Sequence, residues 1–170
     1  MFKKYSELLA QETLILKAAL EAEKEKRRSI FAADGKKLQA LTEKSSILME
    51  EVREIASKRE RLFVGYAREH YLELSGPVTL TQFCLLTDEK APELSQDTCR
   101  IVDEYRNTAF KLKQETEENG RRLTDARDTI HKLLESLSSD DDSTYNNSGK
   151  ASQDKIRKKY TGSVVVNANA

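Results

Sequence analysis

The sequence predicts an all-α protein, an elongated antiparallel bundle or coiled coil of three long helices with one short extra helix and a flexible C-terminal tail. Three observations point there. Charged residues make up 34% of the 170, with only 6 Gly and 2 Pro, against about 25% charged in ordinary globular chains. Apolar residues recur at alternating steps of three and four over long stretches. Helix-breaking residues gather at only three places before the tail, at Asp34-Gly35, Ser75-Gly76-Pro77 and Asp88 to Pro92.

The first helix is expected over about residues 3–32. Its inward positions are Tyr5, Leu9, Glu12, Leu16 and Ala19, a less regular series than those that follow. After a turn at 33–35, a second helix over about 36–74 carries Leu38, Leu41, Ser45, Leu48, Val52, Ile55, Arg59, Leu62 and Tyr66 on one seam. A short helix over about 80–87 opens with Thr79 and Gln82, which can cap each other's amides. The last helix, about 93–138, has Pro92 in its first turn, where the missing donor costs nothing. Its seam runs through Thr98, Val102, Tyr105, Ala109, Leu112, Thr116, Asn119, Leu123, Ala126, Ile130, Leu133 and Leu137. A repeat of 3.5 held this long keeps one face against a partner helix and implies left-handed supercoiling. At ~1.5 Å per residue the three long helices span roughly 45, 58 and 69 Å.

The polar seam positions carry information of their own. Folding the chain at 33–35 brings Glu12 within one helical turn of Arg59, so the two are expected to pair inside the seam. Thr116 and Asn119 interrupt the last helix. Polar seam residues can fix register at some cost in stability; ordinary tolerance near a solvated end of the seam explains them equally well.

Composition excludes several functions. Lysine plus arginine and aspartate plus glutamate each number 29, so no net field draws in nucleic acid or a membrane. The opening MFKKYSELLAQ lacks the apolar core of a signal peptide, and no apolar run approaches the ~18 residues of a membrane span. Cys84 and Cys99 fit no metal pattern and no disulfide scaffold, and Cys84, within FCLL, reads as a buried apolar thiol; the simplest setting is the reduced cytoplasm. The histidines, His70 and His131, are not part of paired Glu-x-x-His motifs. Neither a Gly-rich phosphate loop nor a G-x-S-x-G elbow occurs. Glu50-Glu51 and Glu117-Glu118 read as solvated helix faces. The expectation is a non-enzyme with no catalytic residue, no metal and no cofactor.

The domain reading is a helical bundle over 1–138 and a polar, partly disordered tail over 139–170. The negative SSDDDS of 138–143 has the wrong sign for a helix C-terminus, so the last helix is expected to stop before it. Beyond it, Tyr145, Ile156, Tyr160 and Val164 are spaced among Lys155, Arg157, Lys158 and Lys159. A short helix about 153–160 would put Ile156 and Tyr160 on one face, as anchors for a segment that folds on binding. A disordered solubilising tail fits the composition equally.

Three stretches resemble the FlgN family of flagellar type III export chaperones. Residues 5–63 look like that family's opening hairpin, with a central Glu in the first helix (Glu12), a small-Asp-Gly turn (Asp34-Gly35), and a lysine and arginine in the second helix (Lys44, Arg59). NGRRLTDARDTIHKLLESL, 119–137, is similar to its Asn-containing last helix. Tyr145 and Gly149 of TYNNSG match a Tyr-x-x-x-Gly at the start of the variable tail. The resemblance implies a cytoplasmic chaperone that holds the aggregation-prone terminal helices of hook–filament junction (hook-associated) proteins and delivers them to the export gate. It implies client capture by the C-terminal region, here with Ile156, Tyr160 and Val164 as candidates, and docking to an export gate component through Tyr145. Its membrane contact would be indirect, through the export apparatus. The alternative is a structural coiled-coil adaptor that homodimerises through its last long helix.

Overall fold

A computed structural model describes residues 1–70 and 78–140, with side chains through residue 137. Every described element is helical: α1 (Phe2–Phe31), α2 (Gly35–Glu69), α3 (Leu80–Lys90), a 3-10 turn (Pro92–Leu94) and α4 (Ser95–Asp140). By packing, the chain separates into residues 1–128, which hold the core, and residues 129–170.

Within the first unit α1 lies against both α2 and α4. The consequence is visible in its burial: twelve of its residues are buried, against five in the longer α2. A helix covered on two sides needs a wider inward face than a heptad seam supplies, which is why its sequence looks less regular. The five inward positions expected from spacing, Tyr5, Leu9, Glu12, Leu16 and Ala19, are all buried, and Phe2, Leu20 and Ala22 join them.

The core falls into two apolar clusters. One is aromatic: Phe2, Tyr5, Phe63, Ala67, Phe83 and Ala91. Tyr5 stacks on Phe83 with ring centroids 3.8 Å apart, and Phe2 meets Tyr66 edge-on at 5.4 Å. Through Phe83, with no exposed surface, the short helix α3 packs onto the α1–α2 hairpin. The other cluster is mainly aliphatic, with Leu16, Ala19, Leu20, Val52 and Leu112.

Several expected details shift. In α2 the buried residues near the C-terminus are Phe63 and Ala67, one position on from Leu62 and Tyr66, which are half-buried. A straight helix drifts by ~20° per heptad against a 3.5 repeat, so the three heptads from Leu41 to Leu62 shift the seam by about 60°, more than half of the ~100° step to the next residue. In α4, Thr108 is buried, Glu115 is half-buried, and Thr116 faces solvent. α3 runs to Lys90 through the expected break at Asp88. Pro92 opens the 3-10 turn rather than α4, because Ala91 before it is held away from helical dihedrals at φ −149°, ψ 61°, as proline demands of its predecessor. The capping box at Thr79 and Gln82 forms in full. α4 continues to Asp140, three residues into the SSDDDS run that was expected to end it. Within FCLL the fully buried residue is Phe83, whereas Cys84 is only half-buried.

The α1–α2 turn falls at residues 32–34, within one residue of the expected 33–35. The Asp34 amide donates to the Ser29 carbonyl at 3.0 Å and the Ala33 amide to that of Ile30 at 3.2 Å, the paired bonds of a Schellman ending. The left-handed residue this requires is Ala33, at φ 51°, not Gly35. Gly35 instead begins α2, where the Asp34 side chain accepts from the Lys37 amide at 3.0 Å. A left-handed conformation costs a residue with a Cβ about 1–2 kcal/mol. Ala33→Gly is therefore expected to raise stability by about 0.5–1 kcal/mol after the added entropy of the unfolded chain. Gly35→Ala, whose new Cβ would meet open space, should add up to about 0.5 kcal/mol. Thermal midpoints of the two variants check this, and a lowered midpoint for Ala33→Gly would contradict the turn geometry.

Candidate functional site

Two buried polar layers flank the aliphatic cluster. In the first, α1 supplies Tyr5 and Glu12, α2 supplies Arg59 and α4 supplies Tyr105. Arg59 Nε donates to Glu12 Oε1 at 2.6 Å and Nη2 to Oε2 at 3.3 Å, while Nη1 donates to the Tyr5 hydroxyl at 2.6 Å. The guanidinium also stands 5.1 Å from the centre of the Tyr5 ring, a favourable cation–π distance. Glu12 has no exposed surface and Arg59 only 14%. Burial pushes the Glu12 carboxyl above its ordinary range, and the hydrogen bonds and charge of Arg59 pull it back. Burial likewise raises the Tyr5 and Tyr105 hydroxyls, and the Glu12 charge raises Tyr105 further.

The second layer is built around Glu23 of α1. Its carboxylate accepts from Lys26 at 2.6 Å, from Ser45 of α2 at 3.3 Å and from Asn119 Nδ2 of α4 at 3.0 Å. The same amide nitrogen donates to the Glu23 backbone carbonyl at 2.8 Å. One side chain of α4 thus reads a fixed position on α1, which is what a register-setting polar residue does. Of the two polar interruptions in the α4 seam, Asn119 has this role and Thr116 does not.

These contacts define how far α1 covers α4. Ser6 meets Thr98 at 3.1 Å, Glu23 meets Asn119, and the Arg122 guanidinium lies 4.7 Å from the ring of Phe31, the last residue of α1. No residue of α1 remains for the positions of α4 beyond that point. The seam residues Leu123, Ala126, Ile130, Leu133 and Leu137, expected to face a partner helix, are exposed. With Leu134, the residues Ile130, Leu133 and Leu137 are 58–67% exposed. They have the spacing of a coiled-coil seam but no facing helix among the described residues, and contiguous exposed apolar rows mark interaction surfaces. The repeat was legible in the sequence; its lack of a partner was not, because that depends on where α1 ends against α4.

The remaining candidates are placed as follows. Tyr145, Ile156, Tyr160 and Val164 lie outside the described residues. His70 rests on the Tyr66 ring at 4.2 Å, and His131 Nδ1 is 3.2 Å from Glu135. Among the described residues no group of three His, Cys, Asp or Glu side chains converges as a metal site, and no helix is long and apolar enough to cross a membrane.

Fold and site together define an all-helical bundle protein whose last helix carries an exposed apolar row among the described residues. The FlgN family model, described as FlgN protein, matches residues 1–153, and the chain belongs to that family. Its broad role is that of a flagellar export chaperone that binds substrate proteins. Neither the curated proteins nor the solved structures compared with it include a match.

Removing one member of a buried ion pair leaves the other uncompensated and costs about 3–5 kcal/mol. Arg59→Ala should lose that much, whereas Arg53→Ala, in a pair exposed on both sides, should stay within about 0.5 kcal/mol. Equal thermal midpoints for the two would refute the buried pairing. With Arg59 gone, only burial acts strongly on Glu12, so its folded-state value rises further above the unfolded one. A group raised in this way stabilises below its unfolded value and loses that contribution as pH rises through the folded one. The Arg59→Ala deficit should accordingly be larger at about pH 8 than at about pH 5. Asn119→Ala, which strips donors from the buried Glu23, should cost about 1–3 kcal/mol in a denaturant titration.

Proposed function

We propose that this FlgN-family chain is a cytoplasmic type III export chaperone for hook–filament junction proteins. It holds their terminal helices against aggregation and hands them to a component of the export gate. The observation that carries the reading is the exposed row Ile130, Leu133, Leu134 and Leu137 on α4, a strip that an amphipathic client helix can complete by helix-in-groove packing. The tail adds Ile156, Tyr160 and Val164 as further anchors, and Tyr145 serves gate docking. A tail that orders on binding lowers affinity through entropy, which suits a client that must be released. The chain acts by binding, without a catalytic step or cofactor, takes no nucleic acid, and meets the membrane only through the export apparatus.

The same row fits a second copy of the chain, which keeps the homodimeric adaptor as the competing reading. Calorimetric titration with the C-terminal helical segment of a hook–filament junction protein separates them. Full-length chain should bind as a monomer. The double change Leu133→Asp with Leu137→Asp should weaken binding at least tenfold, about 1.4 kcal/mol, without moving the thermal midpoint, since both side chains are exposed. Ile156→Ser with Tyr160→Ser should weaken it too, and Tyr145→Ala should not. Full affinity in a chain ending at residue 138 would remove the tail from the site. Absence of client binding together with a dimer that survives dilution would favour the adaptor.

A further inference from the structure

The 3-10 turn Pro92–Leu94 folds α3 back along the start of α4, and two hydrogen bonds fix how the helices face. Ser95 Oγ is 2.9 Å from Asp88 Oδ1, to which it donates, and Arg106 Nη2 donates to Thr81 Oγ1 at 2.8 Å. Thr81, Cys84 and Asp88 are spaced by three and four on α3 and so share one face. Ser95, Cys99, Asp103 and Arg106 share one face of α4 in the same way. Two antiparallel rows joined at both ends bring Cys84 opposite the middle members of the other row, Cys99 and Asp103. The Cys99 side chain lies near enough to Cys84 to act on its thiol. Cys84 is half-buried and Cys99 exposed, and both are free. No part of client binding uses them.

We propose that Cys84 and Cys99 form a reversible redox pair, closed into an intrachain disulfide by a peroxide-class oxidant, that ties α3 to the beginning of α4. The exposed Cys99 is the first to react. Its thiolate attacks hydrogen peroxide; an S–O bond forms, the O–O bond breaks and hydroxide leaves, so that Cys99 becomes a sulfenic acid. Cys84, having lost its proton to that hydroxide, attacks the Cys99 sulfur. The S–S bond forms, the S–O bond breaks, and the second oxygen leaves as water on taking a proton from solvent. In sum, two thiols are oxidised and one peroxide is reduced to two waters. Burial, with the neighbouring Cys99 adding to it, pushes the Cys84 thiol up to about 11, which fits the later, resolving role, because the thiolate is the attacking species. In a reducing compartment such a pair stays open at rest and closes transiently. Closure would hold Phe83, one residue from Cys84, in its stack on Tyr5.

The test treats the folded, full-length chain with hydrogen peroxide and follows intact mass, thiol titration under denaturing conditions, and peptide mapping. The expected product is a monomer lighter by two hydrogens, with Cys84 and Cys99 peptides cross-linked, both thiols recovered with dithiothreitol, and a thermal midpoint above that of the reduced chain. Cys84→Ser should instead stop at oxygenated Cys99 or link two chains. The proposal is overturned if Cys84 still titrates after treatment, if wild type yields only interchain dimers, or if neither thiol reacts under conditions that oxidise the unfolded chain.

Discussion

A carboxylate with no exposed surface constrains everything around it. Glu12 can sit at the centre of the bundle only while Arg59 stands opposite with its fork aligned, because an unpaired charge there would cost far more than the pair contributes. That requirement sets α1 against α2 to within a fraction of a turn. Tyr5, sharing the same guanidinium, carries the register into the aromatic cluster, and Phe83 of α3 stacks on that ring. Glu23 repeats the device further along α1 and extends it to α4 through Asn119. Apolar contacts supply most of the stabilisation, but they tolerate sliding; the two polar layers do not.

What could be read from the sequence divides along physical lines. Features governed by local chemistry were visible: the capping box at Thr79, the helical nature of every long segment, and the five inward residues of α1. The proximity of Glu12 and Arg59 followed from folding the chain at one turn. Features that depend on accumulated geometry were not. The move from Leu62 and Tyr66 to Phe63 and Ala67 comes from helical drift, and the turn hides its left-handed residue in Ala33 although glycine stands two positions away. The seam of α4 looked continuous to Leu137, yet α1 stops at Phe31, so among the described residues identical spacing means buried positions before Arg122 and exposed ones after it. The candidates beyond residue 140, Tyr145, Ile156, Tyr160 and Val164, rest on sequence alone.

A bundle that satisfies its own interior and then leaves one helix with unanswered apolar positions separates two tasks within one element. The N-terminal part of α4 is committed by Thr98, Val102 and Asn119 to the fold, and the later part is free of that commitment. Substitutions in the later part should therefore have little effect on folding, which leaves that part free for the recognition proposed for it. The two cysteines lie at the committed end, so a disulfide there would act on the bundle rather than on the free row.

The turn at Asp34 has a consequence for the order in which the chain is built. Asp34 closes the end of α1 with its amide and opens α2 with its carboxylate, so the first two helices are joined through a single residue and their contacts are local. Contacts close in sequence form early, and this hairpin is complete by residue 69, well before α4 has been synthesised. The α1 face that waits for α4 presents Ser6, Lys17, Glu23 and Arg27 around Leu16 and Leu20, which pack in one cluster with Leu112. The hairpin therefore keeps an apolar patch around Leu16 and Leu20 open until Leu112 of α4 arrives, bordered by polar and charged groups that limit its extent.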